Sequence, residues 1–80
     1  MAENILQQIK SILTNSLGID VEKVNMETTF NDLGMDSLDA MALLNELEMA
    51  YDIRLPNEEI LKIRTIGQAV KAMETYAPQA

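Results

Sequence analysis

Residues 34–51 read GMDSLDAMALLNELEMAY, and this stretch decides the fold. Asp36 is a good helix cap, with Asp39 three residues later, so both carboxylates sit near the positive end of a helix dipole. The spacing predicts a helix running to about Tyr51. At about 100° per residue, Ala40, Leu43, Leu44, Leu47 and Tyr51 fall within one arc, the natural core face. Leu38, Met41, Ala42, Asn45 and Met49 fall within a second arc on the opposite side, flanked by Asp39, Glu46, Glu48 and Asp52. Two accounts of the second arc are open. Neighbouring loops cover it, or its apolar residues are ordinary single exposures. Alternatively it is a docking strip with an acidic border, of the kind partner grooves take by apolar anchors. Flexible Met side chains suit a surface that meets several partners.

Outward from this helix, apolar residues keep helical spacing and no convincing alternating strand occurs. Ile5, Ile9, Ile12, Leu13 and Leu17 form one stripe, and Gly18 supplies a left-handed stop, which predicts a helix over about residues 3–17. Ile19 to Gly34 is a long connection rich in turn and cap residues: Thr28, Thr29, Asn31, Asp32 and Gly34. Asp20 can cap a short turn containing Val21 and Val24, while Val24, Phe30 and Leu33 are the expected anchors on the core. A loop this long is usually functional or carries short structure of its own. Pro56 starts a short segment, with Asn57 as its expected cap and Glu58 and Glu59 in its first turn. Thr65 and Gln68 match the capping-box spacing ahead of an apolar face of Ile66, Ala69, Val70 and Met73, and Pro78 closes the chain. The expected fold is all-α, one domain over residues 1–80: three main helices and a short one, packed as a bundle.

Composition narrows the chemistry. Eighty residues with 48% hydrophobic content support one modest core. There is no Cys and no His, which excludes disulfides, thiolate zinc sites, Cys nucleophiles and Ser-His-Asp triads. No run approaches the roughly 18 apolar residues of a membrane span, and the start lacks the basic and apolar regions of a secretory signal. A cytoplasmic location is expected, as is a free-standing chain, since it starts at Met1. The formal charge is −7, from 13 acidic and 6 basic residues. Nucleic acid and anionic membranes repel such a surface, while partners with basic patches are attracted to it; the same charge also serves solubility alone. A calcium-binding loop with regular acidic ligands, central Gly and terminal Glu does not occur.

Ser37 lies just inside the start of the central helix. Taken by itself, a serine there belongs to capping chemistry, and without His it has no usual base to make it a nucleophile. Its context is more specific. The run Asp32-Leu33-Gly34-Met35-Asp36-Ser37-Leu38-Asp39 resembles the attachment motif of acyl carrier proteins. Leu17-Gly18-Ile19 resembles the end of that family's first helix, and Phe30 sits where the family has an aromatic anchor. Tyr51-Asp52-Ile53 and Leu55-Pro56-Asn57-Glu58-Glu59 look like its link into a short third helix. The resemblance covers nearly the whole chain.

The resemblance implies that Ser37 is esterified by 4′-phosphopantetheine, with Asp36 part of the loading motif. A phosphopantetheinyl transferase donates the arm from coenzyme A with a divalent metal, and the arm's thiol carries the acyl group. The chain is then a monomeric, non-catalytic carrier and holds no metal of its own. Its expected partners are acyl-processing enzymes with basic docking patches, of ketosynthase, acyltransferase or acyl-ligase type. They meet Leu38, Met41, Ala42, Asn45 and Met49 within the border of Asp39, Glu46 and Glu48. Four-helix carriers admit an acyl chain between helices, and Met26, Leu47, Ile63, Ile66 and Met73 are candidate lining residues; by periodicity all five also read as plain core. Carriers of primary fatty acid synthesis usually keep an acid at Ala42, an apolar residue at Asn45 and often an acid at Met49. The departures point to a specialised lipid or polyketide pathway. The alternatives are an aminoacyl or peptidyl carrier, and an unmodified helical interaction module.

Overall fold

The structure, a computed structural model, describes residues 2–76. Pro78, expected to close the chain, lies outside them. The described residues form four helices: α1 Ala2–Asn15, α2 Ser37–Tyr51, α3 Asn57–Lys62 and α4 Ile66–Tyr76, with a short 3₁₀ turn at Asn31–Leu33 before α2. This is the expected all-α fold of three long helices and a short one. The principal packing pairs are α1 with α4, α1 with α2, and α2 with α4.

The α1 stripe drives its docking. Ile5, Ile9, Ile12 and Leu13 are buried, and Leu17 packs half-buried beside them. The α-helical run ends at Asn15, two residues before the expected stop, with a turn continuing to Leu17. Gly18 takes φ 65°, and the Ile19 N–H then donates to the Leu13 carbonyl at 2.8 Å. That bond closes a left-handed helix end, where glycine has no Cβ to strain.

The connection to α2 is built from local caps. Asp20 accepts from the Glu22 N–H at 3.0 Å, and Asn25 accepts from the Glu27 N–H at 2.8 Å. Thr29 and Asp32 accept from each other's N–H at 2.9 and 3.2 Å. Val24 and Phe30 are buried as expected, Leu33 only partly, and Met35 is a further buried anchor. The far side of this loop is tied to the start of α4. Phe30 N–H donates to Arg64 O (3.0 Å), Ile66 N–H to Thr28 O (2.9 Å) and Gly67 N–H to Met26 O (2.8 Å), around an isolated antiparallel pairing of Thr29 with Thr65. A Cβ on Gly67 would lie 2.7 Å from the Met26 carbonyl oxygen, so this approach admits glycine alone without a shift.

Two further ends complete the frame. The Thr65–Gln68 capping box forms in both directions at 3.0 Å, and Gln68 also accepts from the Arg64 N–H at 2.7 Å. At α3, Asn57 is the first helical residue rather than the cap. Pro56 holds the cap position without a side-chain bond, its fixed φ of −60° and extended ψ of 143° turning the chain into the helix. The core face of α2 is as expected: Leu43, Leu44 and Leu47 are buried, with Ala40 and Tyr51 half-buried.

Candidate functional site

The site starts from the Asp36 cap. Asp36 is extended, at φ −94° and ψ −174°, and accepts from the Asp39 N–H at 2.9 Å. Asp39 returns the bond by accepting from the Asp36 N–H at 3.3 Å. This reciprocal box forms without Ser37, which is the first helical residue and is exposed. The serine is therefore not the capping side chain. The first bond of the ladder runs from the Ala40 N–H to the Asp36 carbonyl at 3.0 Å, so the N–H groups of Ser37 and Leu38 precede the intrahelical series. An anion on the Ser37 oxygen would meet these N–H groups and the positive end of the α2 dipole, opposed by the Asp36 and Asp39 carboxylates.

Ser37 sits at a cleft of about 550 Å³ between the start of α2, the loop before it and the α3–α4 region. Phe30, Met35, Leu44 and Ile63 give it an apolar floor, and Asp36 and Arg64 are the two charged residues along it. Of the five candidate lining residues, Ile63 alone borders this cleft. Leu47, Ile66 and Met73 are fully buried in the bundle core, and Met26 is 41% exposed on the loop held against Gly67. Helical periodicity cannot separate a core position from a cleft wall, because both are apolar and inward.

The second arc of α2 is open. Leu38 is 76% exposed, Met49 74% and Met41 45%, with Ala42 and Asn45 exposed between them. Among the described residues no loop covers Leu38 or Met49. Met41, Asn45 and Met49 continue into a broad open groove with Ile53, Pro56 and Ile60, toward α3. Asp39 and Glu46 flank the strip half-buried. Glu48, the third border acid, also has a structural tie: its Oε2 accepts from the Leu55 N–H at 2.7 Å, fixing the α2–α3 link to the helix. Asp52 ends α2 in the left-handed region at φ 53°, a conformation Asp tolerates better than most residues.

Among the described residues there is no cluster of three or more acidic, His or Cys side chains suited to a metal, and no helix is long and apolar enough to cross a membrane.

The family model described as "Phosphopantetheine attachment site" matches residues 7–73. The chain is similar to an acyl carrier protein of Thermotoga maritima at 30% identity and a TM-score of 0.87, over 92% of this chain and 87% of that one. It is also similar to MacpD, an acyl carrier protein of Pseudomonas fluorescens involved in mupirocin biosynthesis, at 26% identity and a TM-score of 0.70, over 99% of this chain and 72% of that one. With an exposed serine at a helix start, the matching fold and a family model over most of its length, the chain belongs to the acyl carrier protein family, carriers whose cofactor is covalently attached 4′-phosphopantetheine.

Proposed function

We propose that Ser37 is the attachment residue and that the chain carries acyl groups as thioesters between biosynthetic enzymes. The observation that carries this reading is the placement of Ser37: first in α2, exposed, spared from capping by the Asp36–Asp39 box, and at the mouth of an apolar-floored cleft. The chain's own residues then divide the work. The α2 terminus offers N–H groups to the phosphodiester. Asp36 and Asp39 hold that terminus in one geometry, while their charge makes basic transferase groups or a metal useful during loading. The arm supplies the thiol that forms the thioester. The protein itself performs no catalysis in this reading and works as a monomer in the cytoplasm.

Its partners are a phosphopantetheinyl transferase and acyl-processing enzymes of ketosynthase, acyltransferase or acyl-ligase type. They meet the open strip of Leu38, Met41, Ala42, Asn45 and Met49, bordered by Asp39, Glu46 and Glu48, with basic patches answering the −7 charge. Because Ala42, Asn45 and Met49 are all exposed, the departures from primary fatty acid carriers lie where a partner reads them. That favours a dedicated lipid or polyketide pathway. The experiment is mass analysis of the protein from its own host, with the arm ejected to weigh its cargo. An acyl thioester is expected. An aminoacyl cargo would move the chain to the peptidyl-carrier alternative, and protein without any arm would overturn the carrier reading of Ser37.

A further inference from the structure

The cleft at Ser37 carries one guanidinium, and nothing in the loading motif accounts for it. Arg64 lies between α3 and α4, on the same cleft as Ser37. Its backbone is held at both ends: its N–H donates to Gln68 Oε1 at 2.7 Å, and its carbonyl accepts from the Phe30 N–H at 3.0 Å. Phe30 in turn accepts through its own carbonyl from the Met35 N–H at 3.0 Å, and Met35 is followed directly by Asp36 and Ser37. Two successive backbone bonds thus tie the Arg64 wall of the cleft to the Ser37 wall. The backbone is fixed while the side chain is exposed. Along the rest of the cleft the residues are neutral, apart from Asp36.

Resting on the assignment of the arm to Ser37, we propose that Arg64 is a positioning residue: its guanidinium pairs with the phosphodiester on Ser37 and holds the arm over the cleft. The physical need is local. A phosphodiester on Ser37 brings a permanent negative charge next to Asp36 and Asp39, on a chain already at −7. Arg64 supplies the cleft's one opposing charge, in a fork that matches phosphate oxygens in a way a lysine ammonium does not. Fixing the arm at its root biases the thiol and its cargo toward the cleft floor of Phe30, Met35, Leu44 and Ile63 rather than solvent.

The test compares thermal midpoints before and after loading with coenzyme A and a broad-range transferase, for the natural protein, Arg64→Gln and Arg64→Lys, with the modified peptide mapped in each. Loading should be less favourable for Arg64→Gln than for the natural protein by roughly 1–5 °C, the size expected of an exposed ion pair in a domain of this length. Arg64→Lys should recover part of the difference, and the difference should shrink in high salt. A purely structural role for Arg64 would shift loaded and unloaded forms equally. Equal loading shifts in the natural protein and Arg64→Gln, with the arm on Ser37, would overturn the pairing and leave the Ser37 assignment standing. An arm mapped to another residue would overturn both.

Discussion

The two faces of α2 carry similar side chains and have opposite fates. Leu43, Leu44 and Leu47 are buried in the bundle core, whereas among the described residues Leu38 and Met49 stay about three-quarters exposed and Met41 nearly half. Apolar character is common to both faces; the difference lies in what the rest of the chain brings to each. The 15 residues of α2 are long enough to span the bundle, but α3 is only 6 residues, too short to cover the outer face. The lesson is that an apolar stripe reports a need for a partner, and the topology decides whether that partner is inside the molecule. On α2 the inner need is met by the fold, and the outer face stays exposed, which is what the proposed docking role requires.

Truncating one side chain on each face, and one between them, separates the roles of the two faces. Leu47→Ala removes a side chain with no exposure and should cost about 2–5 kcal/mol, read as a loss of denaturation midpoint. A cost under about 0.5 kcal/mol would mean that the inner face is not core. Glu48→Ala probes the seam between the faces. Because its carboxylate accepts the Leu55 N–H, it should lose about 1.5–3 kcal/mol, the worth of a hydrogen bond to a charged group. Glu46→Ala should lose little; equal losses would remove the distinction between a tie and a border charge. Leu38→Ala should leave stability within about 0.5 kcal/mol. It should nonetheless reduce transferase loading, measured as kcat/KM, by roughly tenfold if its side chain is buried in the complex. Unchanged loading would take Leu38 out of the docking strip.

The two arcs were legible from the sequence because each is a local pattern, although that pattern leaves open whether the outer one is covered. So were Gly18, the Asp20 turn, the Asp36 cap and the Thr65–Gln68 box, in which every partner lies within a few residues of the other. What escaped was set by contacts distant along the chain. Gly67 looks like an ordinary helix glycine until Met26 is brought against it. Met35 reads as one more apolar loop residue, though it is buried beside Phe30. Glu48 shares its pattern with the solvated acids and differs only in reaching Leu55, seven residues on. Arg64 carries no signal until Phe30 draws it to the cleft. Of the lining candidates, Leu47, Ile63, Ile66 and Met73 share the core cluster and Ile63 alone also borders the cleft, a difference in depth that periodicity does not encode. Ser37 was legible through its motif, whereas its release from capping needed the geometry of Asp36 and Asp39.

The role of Ser37 is settled by incubating the protein and Ser37→Ala with coenzyme A, magnesium and a broad-range phosphopantetheinyl transferase, then mapping the product by mass. Ser37 is exposed and makes none of the cap bonds, so the variant should keep its fold. The account predicts one arm on the natural protein, on the peptide containing Ser37, and none on Ser37→Ala. Equal modification of Ser37→Ala, or an arm at Ser11 or Ser16, would contradict it.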